Sequence, residues 1–148
     1  MPISKSQFAT LKQAAVDASR QAWCPYSNFP VGAALLTTDG QIFAGCNVEN
    51  ASYGLTVCAE RNAIGQAISA GCREFTTLLI FTATNKPTTP CGACRQVVTE
   101  FAPDIEVISV CDGPENIRAS MRDLLPQSFG PHNLDEAPKP GQTSGLED

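Results

Sequence analysis

Residues 75–82 read Phe75-Thr76-Thr77-Leu78-Leu79-Ile80-Phe81-Thr82, with a continuous apolar run at their centre. Such a run is typical of a strand whose two faces are both buried, as in a sheet covered by helices on each side. Residues 85–90 contain two prolines and predict a loop after this strand. We therefore expect a central strand here, and the rest of the fold extends outward from it in both directions.

Helical patterns flank this strand. Residues 58–70 place Ala63, Ala67 and Ala70 at helical spacing, and Gly71 is a plausible helix stop. After the strand, we expect a short helix over residues 91–101 and a strand over 105–110. Residues 116–125 are ambiguous, and their apolar spacing fits a helix slightly better than a strand.

The first part of the chain predicts a helix and a hairpin. A helix is expected over residues 4–22 and a loop over 24–30. Residues 31–38 then predict a strand, Asp39-Gly40 a tight turn, and residues 41–48 the return strand. Helices and strands alternate after the hairpin. The order predicts an α/β fold, a three-layer α/β/α sandwich around one mixed sheet.

Length and composition indicate one globular domain. The chain has 148 residues, of which 43% are hydrophobic and 17% charged, so it can bury a core without disulfide bonds. After Pro131 the sequence becomes polar, with prolines and glycines and no periodicity. We therefore expect one domain over residues 1–131 and a disordered tail over residues 132–148.

Charge and cysteine usage limit the partners and the compartment. A net charge of −5 disfavours binding to a polynucleotide and suits a small neutral substrate. No apolar run reaches the ~18 residues of a membrane span, and the first residues show no secretory signal. A reducing, cytoplasmic location is therefore expected. In such a compartment, closely spaced cysteines more often bind metal or do chemistry than form disulfides.

Three cysteines form a candidate metal site. Cys91-Gly92-Ala93-Cys94 is a C-x-x-C pair, which by itself fits a redox couple, a structural zinc site or a catalytic zinc site. No second pair exists, and the only histidine, His132, lies in the expected tail. Cys58 as a third ligand leaves one open position, as in catalytic zinc sites. Both groups lie where a helix begins, and the partial positive charge there favours thiolates.

Glu60 is the candidate proton carrier, since it follows Cys58 by two residues and can reach a water molecule at the metal. Three thiolates give zinc a net charge of −1, and Arg61 is a candidate to offset it. Each residue has an ordinary alternative: a buried apolar cysteine at Cys58, a solvated helix residue at Glu60. The combination C-A-E followed by P-C-x-x-C matches the zinc deaminase signature in its three-cysteine form.

On a larger scale, the sequence resembles the small homotetrameric cytidine deaminases over about residues 5–130. The matching motifs, in chain order, are Phe29-Pro30-Val31-Gly32-Ala33-Ala34, Gly45-Cys46-Asn47-Val48-Glu49-Asn50, Cys58-Ala59-Glu60-Arg61, Pro90-Cys91-Gly92-Ala93-Cys94-Arg95-Gln96, and Leu124-Leu125-Pro126 before Phe129. The resemblance implies one zinc ion per subunit, held by Cys58, Cys91 and Cys94. It further implies that Glu60 is the proton shuttle and that Arg61 hydrogen-bonds the thiolates.

The resemblance also implies the substrate contacts. Phe29 would pack on the base, Asn47 and Glu49 would bind the ribose hydroxyls, and the backbone of Ala59 would contact the pyrimidine. Three residues would come from a neighbouring subunit, so that sites are shared in a homotetramer: Phe129, Ala51 and Tyr53. Taken alone, Phe29 reads as a core aromatic, Phe129 as a cap of the local core, and Asn47 and Glu49 as polar residues that end a strand.

The implied reaction is hydrolytic deamination of cytidine and 2′-deoxycytidine to uridine and 2′-deoxyuridine, with release of ammonia, in pyrimidine salvage. Three alternatives stay open: deamination of another aminopyrimidine such as a nucleoside antibiotic with a cytosine base, editing of a polynucleotide, and a non-catalytic structural zinc or redox pair. Neither nucleic acid nor membrane is expected as a partner. The remaining cysteines, expected to be reduced and mostly buried, receive no role: Cys24, Cys46, Cys72 and Cys111.

Overall fold

The strands are β1 (Val31–Thr37), β2 (Ile42–Cys46), β3 (Phe75–Thr82), β4 (Glu106–Cys111) and β5 (Asn116–Ser120). In this computed structural model, which describes residues 2–137, they form a five-stranded sheet in the order β2-β1-β3-β4-β5. The helices are α1 (Lys5–Ser19), α2 (Ala59–Ser69), α3 (Gly92–Phe101), α4 (Met121–Leu124) and α5 (Pro131–Asp135), with a 3₁₀ turn over Tyr53–Leu55. The sheet is mixed, since β3 and β4 are parallel and the other neighbours are antiparallel.

Both faces of the sheet are covered, which confirms the expected three-layer α/β/α fold. Strand β1 alternates between the two cores, as the period of two in a strand requires. Ala33 and Leu35 lie in the core shared with α2 and α3. Ala34 and Leu36 lie in the core shared with α1. The central strand β3 is likewise buried on both faces, as its continuous apolar run predicted.

Local signals in the sequence set the helix boundaries. Ser4 caps α1, because its side chain accepts a hydrogen bond from the amide of Gln7 while the Gln7 side chain accepts one from the amide of Ser4. Gly40 in the hairpin turn and Gly71 after α2 have φ angles of 87° and 88°. Glycine adopts this left-handed conformation without steric cost, so these positions end the elements where predicted.

The handedness of the connections brings two helix N-termini together. Strands β2 and β3 both run antiparallel to β1, so they run in the same direction, and β4 is parallel to β3. The chain crosses from β2 to β3 through α2 and from β3 to β4 through α3. Right-handed crossovers in one direction place both helices on one face of the sheet. Consequently α2 and α3 both begin at the edge where β2 and β3 end.

The prediction for residues 116–125 was wrong in its first half. Residues 116–120 form the edge strand β5, in register with β4 from Val110↔Asn116 to Glu106↔Ser120, and only Met121–Leu124 is helical. Short segments with few apolar residues fit either period, and here pairing with β4 decides the structure. Ser120 marks the change, because its hydroxyl accepts a hydrogen bond from the amide of Asp123 and caps α4.

Regular secondary structure extends beyond residue 131, where the domain was expected to end. Helix α5 covers Pro131–Asp135, where a disordered tail was expected from residue 132. Pro131 occupies the first helical position, for which its fixed φ angle is suited, and the amide of Gly130 donates to the Asn133 side chain at 2.9 Å. The rest of the expected tail, residues 138–148, lies outside the described residues. Within residues 2–137, no helix is long and apolar enough to cross a membrane.

Candidate active site

The three predicted metal ligands meet at the N-termini of α2 and α3. Cys58 is the N-cap residue of α2, Cys91 is the N-cap residue of α3, and Cys94 lies in the first turn of α3. Their sulfur atoms all lie within 4.8 Å of one another, and the Sγ atoms of Cys58 and Cys91 are 3.8 Å apart. Neither N-cap side chain accepts a capping hydrogen bond from the backbone of its helix, so both sulfur atoms can face the cluster.

The charges in this cluster fit a metal ion. The pKa of Cys58 is lowered to about 5, first because the Cys94 thiol donates a hydrogen bond to it and further because Arg61 lies beside it. The pKa of Cys94 is raised, first by its pairing with Cys58 and then by burial of the thiol. Without a cation, the Cys94 thiol therefore keeps its proton. A divalent metal replaces that proton, and three thiolates are the ligands that zinc accepts.

Glu60 lies against the same cluster. Its side chain is buried, with 5% exposure, and Oε2 is 3.6 Å from the sulfur of Cys94. Burial raises the pKa of Glu60, and the negative charge on Cys58 adds to the increase. A carboxyl group whose pKa is raised towards neutrality can both accept and donate a proton. The position beside the ligands and the raised pKa are those that a proton carrier needs.

Arg61 provides positive charge at the cluster. Its Nη2 atom donates to the sulfur of Cys58 at 3.5 Å and to the carbonyl of Thr56 at 3.4 Å. Hydrogen bonds to the Cys58 and Cys94 sulfurs raise the pKa of Arg61, so the guanidinium stays charged. Arg61 therefore lies where the predicted compensation of thiolate charge requires it.

Asn47 and Glu49, predicted to contact a sugar, hold the loop that carries Phe29. The Asn47 side chain accepts from the amide of Val31 and donates to the carbonyl of Phe29, each at 2.9 Å. Glu49 Oε1 accepts from the amides of Tyr26 and Ser27 at 3.1 Å. Both side chains therefore fix the backbone around Phe29, whose ring is 39% exposed. The sugar-binding role predicted for them is not tested by these contacts.

The other predicted substrate contacts differ in exposure. Ala59 is fully buried at the start of α2, whereas Ala51 is exposed. Tyr53 is 74% exposed, and its ring centroid lies 5.6 Å from that of Tyr26, in the loop bound by Glu49. Phe129 is 59% exposed, and its carbonyl accepts a hydrogen bond from Gln96 at 2.9 Å. Two large aromatic rings thus remain open to solvent within one chain.

Two residues of the site region were missed from the sequence. Ser27 bonds to both Glu49 and Phe29, and Arg95 donates to the carbonyls of Pro90 and Leu124 at 2.7 Å each. Arg95 thereby ties the loop before Cys91 to the C-terminal segment. Both residues stand next to recognised positions, Ser27 in the loop before Phe29 and Arg95 directly after Cys94. Their proximity in sequence to Phe29 and Cys94 indicated that both lie near the site, but their hydrogen-bond partners are determined only by the fold.

The cysteines outside the cluster are reduced, as expected, but they are less buried than expected. Cys111 is buried, and Cys24, Cys46 and Cys72 are half-buried. Burial raises the pKa of Cys46, so its thiol stays protonated. Cys72 packs against the core that lies between the sheet and helices α2 and α3.

Comparisons with known proteins agree with this geometry. The family described as the cytidine and deoxycytidylate deaminase zinc-binding region matches residues 5–110. The cytidine deaminase of Sporosarcina psychrophila is 45% identical over 121 residues, 81% of this chain and 89% of that protein. The crystal structure of cytidine deaminase from Burkholderia pseudomallei has 47% identity and a TM-score of 0.80, covering 86% of this chain and all of that one. A blasticidin-S deaminase of Bacillus cereus is 32% identical over 110 residues, 67% of this chain and 76% of that protein.

Proposed function

The chain belongs to the zinc-dependent cytidine deaminase family, and we propose that it hydrolyses cytidine and 2′-deoxycytidine to uridine and 2′-deoxyuridine with release of ammonia. One structural observation supports the proposed activity independently of family membership. A buried carboxyl group, that of Glu60, lies 3.6 Å from a sulfur of the three-cysteine cluster. A structural zinc site or a redox pair has no use for this group, whereas a hydrolytic deamination needs a proton carrier at that place.

Zinc is the metal of this family, and Cys58, Cys91 and Cys94 would hold it. When bound, zinc lowers the pKa of a water molecule and so supplies a nucleophile at neutral pH. Three protein ligands leave a position open for that water, as in other catalytic zinc sites. Arg61 partly neutralises the thiolates through its hydrogen bond to Cys58, which keeps the site favourable for an anionic nucleophile.

The proton transfers fall to Glu60. In the proposed mechanism, Glu60 takes a proton from the attacking water and delivers it to N3 of the cytosine ring, which makes C4 more electrophilic. Glu60 then takes the remaining proton from the hydroxyl now on C4 and delivers it to the amino group, which leaves as ammonia while the C4 carbonyl forms. Burial raises the pKa of Glu60, which makes its carboxylate a better proton acceptor than that of an exposed glutamate.

The sugar and the base would be held by the loop beside the cluster. Phe29 would pack on the base, the backbone of Ala59 would contact the pyrimidine, and Asn47 and Glu49 would take hydrogen bonds from the sugar hydroxyls. The partly exposed ring of Phe29 and the polar side chains behind it support this assignment. A neutral substrate also suits a chain of net charge −5.

The proposal extends to the assembly and the setting of the enzyme. A homotetramer would complete each site with Phe129 and, in part, Ala51 and Tyr53 of a neighbouring subunit. The high exposure of the Phe129 and Tyr53 rings within one chain supports shared sites. The catalytic domain would be residues 1–131, acting in pyrimidine salvage in the cytoplasm. The free state of all seven cysteines agrees with a reducing compartment.

Replacing the carboxyl group tests the function. Glu60→Gln should keep the zinc content and the melting temperature of the wild type. It should lose deamination of cytidine by about 10²- to 10⁴-fold in kcat, the usual contribution of a positioned acid–base group. The absorbance change of cytidine measures turnover, and atomic absorption measures zinc.

Glu100→Gln is the matched control, because Glu100 is an exposed glutamate on α3 away from the cluster. It should retain wild-type turnover. Wild-type turnover in Glu60→Gln would show that the carboxyl group carries no proton in the reaction. A zinc-loaded wild type without turnover of cytidine would instead favour a structural zinc site.

A second candidate comes from the relative that acts on another substrate. The blasticidin-S deaminase of Bacillus cereus is 32% identical, so a nucleoside antibiotic with a cytosine base is a competing substrate class. The polar pair Asn47 and Glu49 favours a free nucleoside. Turnover of blasticidin S far above that of cytidine, measured side by side on the zinc-loaded enzyme, would reverse this preference.

A further inference from the structure

A line of hydrogen bonds joins the base-packing loop to the sugar-binding carboxylate. The amide of Phe29 donates to the hydroxyl of Ser27 at 3.1 Å. That hydroxyl in turn bonds to Oε2 of Glu49, and its only proton must be the one donated, because a carboxylate accepts and does not donate. The direction of both hydrogen bonds, from Phe29 to Ser27 and from Ser27 to Glu49, is therefore fixed.

The same contacts use up most of the acceptor capacity of Glu49. An ionised carboxylate offers about four lone-pair positions, two on each oxygen. Oε1 accepts from the amides of Tyr26 and Ser27, so both of its positions are taken. Oε2 accepts from the Ser27 hydroxyl, which leaves one position free. A sugar hydroxyl that donates to Glu49 must therefore reach Oε2, directly beside the Ser27 hydroxyl.

The serine hydroxyl also keeps Glu49 ready to accept. Its hydrogen bond is the largest cause of the lowered pKa of Glu49, with the amides of Ser27 and Tyr26 contributing further. The turn that presents this hydroxyl is tight, with Asn28 at a φ of 52° and its amide bonded to the carbonyl of Cys24 at 2.9 Å. The loop therefore holds the hydroxyl in one place relative to Glu49.

We propose that Ser27 is a positioning residue for substrate selection: its hydroxyl orients Glu49 so that one free lone pair of Oε2 faces the sugar, and it couples that orientation to the backbone of Phe29. The inference rests on the proposed function, in which Glu49 binds a sugar hydroxyl. Ser27 acts through Glu49, so its effect should depend on whether the nucleoside carries the hydroxyl that Glu49 binds.

Two nucleosides and two isosteric variants test this role. Ser27→Thr keeps a hydroxyl, whereas Ser27→Val has nearly the same shape without one. On cytidine, Ser27→Val should raise KM about tenfold, the scale of one hydrogen bond to a charged group, with kcat within about twofold of the wild type. Ser27→Thr, which keeps the hydroxyl, should have a KM for cytidine much closer to that of the wild type. On 2′,3′-dideoxycytidine, which lacks the sugar hydroxyls, the two variants should differ by less than about twofold in kcat/KM.

The controls separate the possible failures. Ser6→Ala, on an exposed part of α1, should match the wild type on both nucleosides. An equal loss on both nucleosides in Ser27→Val would overturn the proposal, because it would indicate general damage to the loop. An unchanged KM for cytidine would also overturn it. A wild-type enzyme without activity on cytidine would instead refute the proposed function itself.

Discussion

The guanidinium of Arg61 faces a cluster that would carry three negative charges. Its Nη2 atom lies 3.5 Å from the sulfur of Cys58 and 3.4 Å from the carbonyl of Thr56, so the charge is fixed in place by two partners. A hydrogen bond to a metal-bound thiolate withdraws charge from the sulfur and supports the ligand geometry. Arg61 would thus support the metal ligands without binding the metal itself.

Removing this charge should weaken the centre. We expect Arg61→Ala to lower zinc affinity or turnover by about 10- to 100-fold, as is usual for partners of metal ligands. Titration with a zinc chelator and the kcat for cytidine measure the two effects. Arg20→Ala, at an exposed arginine after α1, is the control and should behave as the wild type. Wild-type affinity together with wild-type turnover in Arg61→Ala would contradict the charge argument.

Glu49 should make the stability of the folded protein depend on pH. Its pKa is lowered below the ordinary 4.5, chiefly by the hydroxyl of Ser27. A depressed pKa means that the carboxylate stabilises the fold above the unfolded value and that this contribution is lost as pH falls through the folded value. The stability difference between wild type and Glu49→Gln should therefore be largest near neutrality and shrink below about pH 4.5.

Urea unfolding midpoints across pH, taken with both proteins in the same zinc state, measure that difference. Glu100→Gln, which alters an exposed carboxylate on α3, should show no such trend. A difference between wild type and Glu49→Gln that stays constant from pH 7 to about pH 3 would contradict the assignment of the shift to Glu49.

At the residue level, spacing along the chain was sufficient to predict which side chains lie together in the cluster. Cys91 and Cys94 are recognisable because residues three apart lie on one face of a helical turn. Glu60 is recognisable because it follows Cys58 by two residues at the start of a helix. Ser27 was missed because its partner, Glu49, is 22 positions away. No local pattern marks such a contact, which arises only when the loop after α1 folds back on the end of β2.

At the scale of elements, two glycines in the layer of α2 and β2 have opposite surroundings. A Cβ atom on Gly45 of β2 would lie 2.5 Å from the backbone nitrogen of Ala63 and 2.7 Å from the carbonyl oxygen of Ala59. A Cβ atom on Gly65 of α2 would meet nothing within 4 Å. The strand therefore needs glycine so that α2 can lie close, whereas the helix gains nothing from it.

The two alanine variants should change the free energy of unfolding in opposite directions. Gly45→Ala forces α2 away from the sheet, and we expect it to lower the free energy of unfolding by about 2 kcal/mol, within the range for overpacked cores. Gly65→Ala should raise it by about 0.5–1 kcal/mol, since alanine favours the helix. Thermal unfolding of both variants checks the pair. A Gly45→Ala protein as stable as Gly65→Ala would refute the close approach of α2 to β2.

Element prediction worked best where a segment is both periodic and capped. Strand β3 matched its predicted bounds of residues 75–82, and Gly71 ended α2 as expected. Strand β5 was missed because it is an exposed edge strand with little apolar pattern, and its identity depends on pairing with β4. Helix α5 was missed because a polar composition was taken for disorder, although Pro131 marked a helix start.

On the scale of the assembled molecule, shared sites predict complementation between inactive variants. Phe129→Ala and Glu60→Gln should each be nearly inactive alone. If Phe129 serves a neighbouring subunit, mixed oligomers contain some sites with an intact Glu60 completed by an intact Phe129. Co-refolding equal amounts should then recover about a quarter of the wild-type activity per site, as random assortment of two chain types implies.

The control for complementation uses two residues that belong to one chain's own site. A mixture of Cys58→Ala with Glu60→Gln contains no site with both groups intact, because both lie at the start of the same helix α2. This mixture should stay inactive. Failure of the Phe129→Ala and Glu60→Gln mixture to recover activity, with oligomers confirmed by size-exclusion chromatography, would place the complete site within a single chain.

Because Cys58 and Cys91 stand 33 residues apart, a metal held by both closes a loop of chain around α2 and β3. Fully extended, that segment would span roughly 120 Å, at about 3.6 Å per residue. With a metal bound to both cysteines, a force applied to the two chain ends would pass through the metal–sulfur bonds and not along the backbone between Cys58 and Cys91. The backbone of β3 would then be stretched only after a ligand had been released, although its hydrogen bonds to β1 and β4 would still carry load.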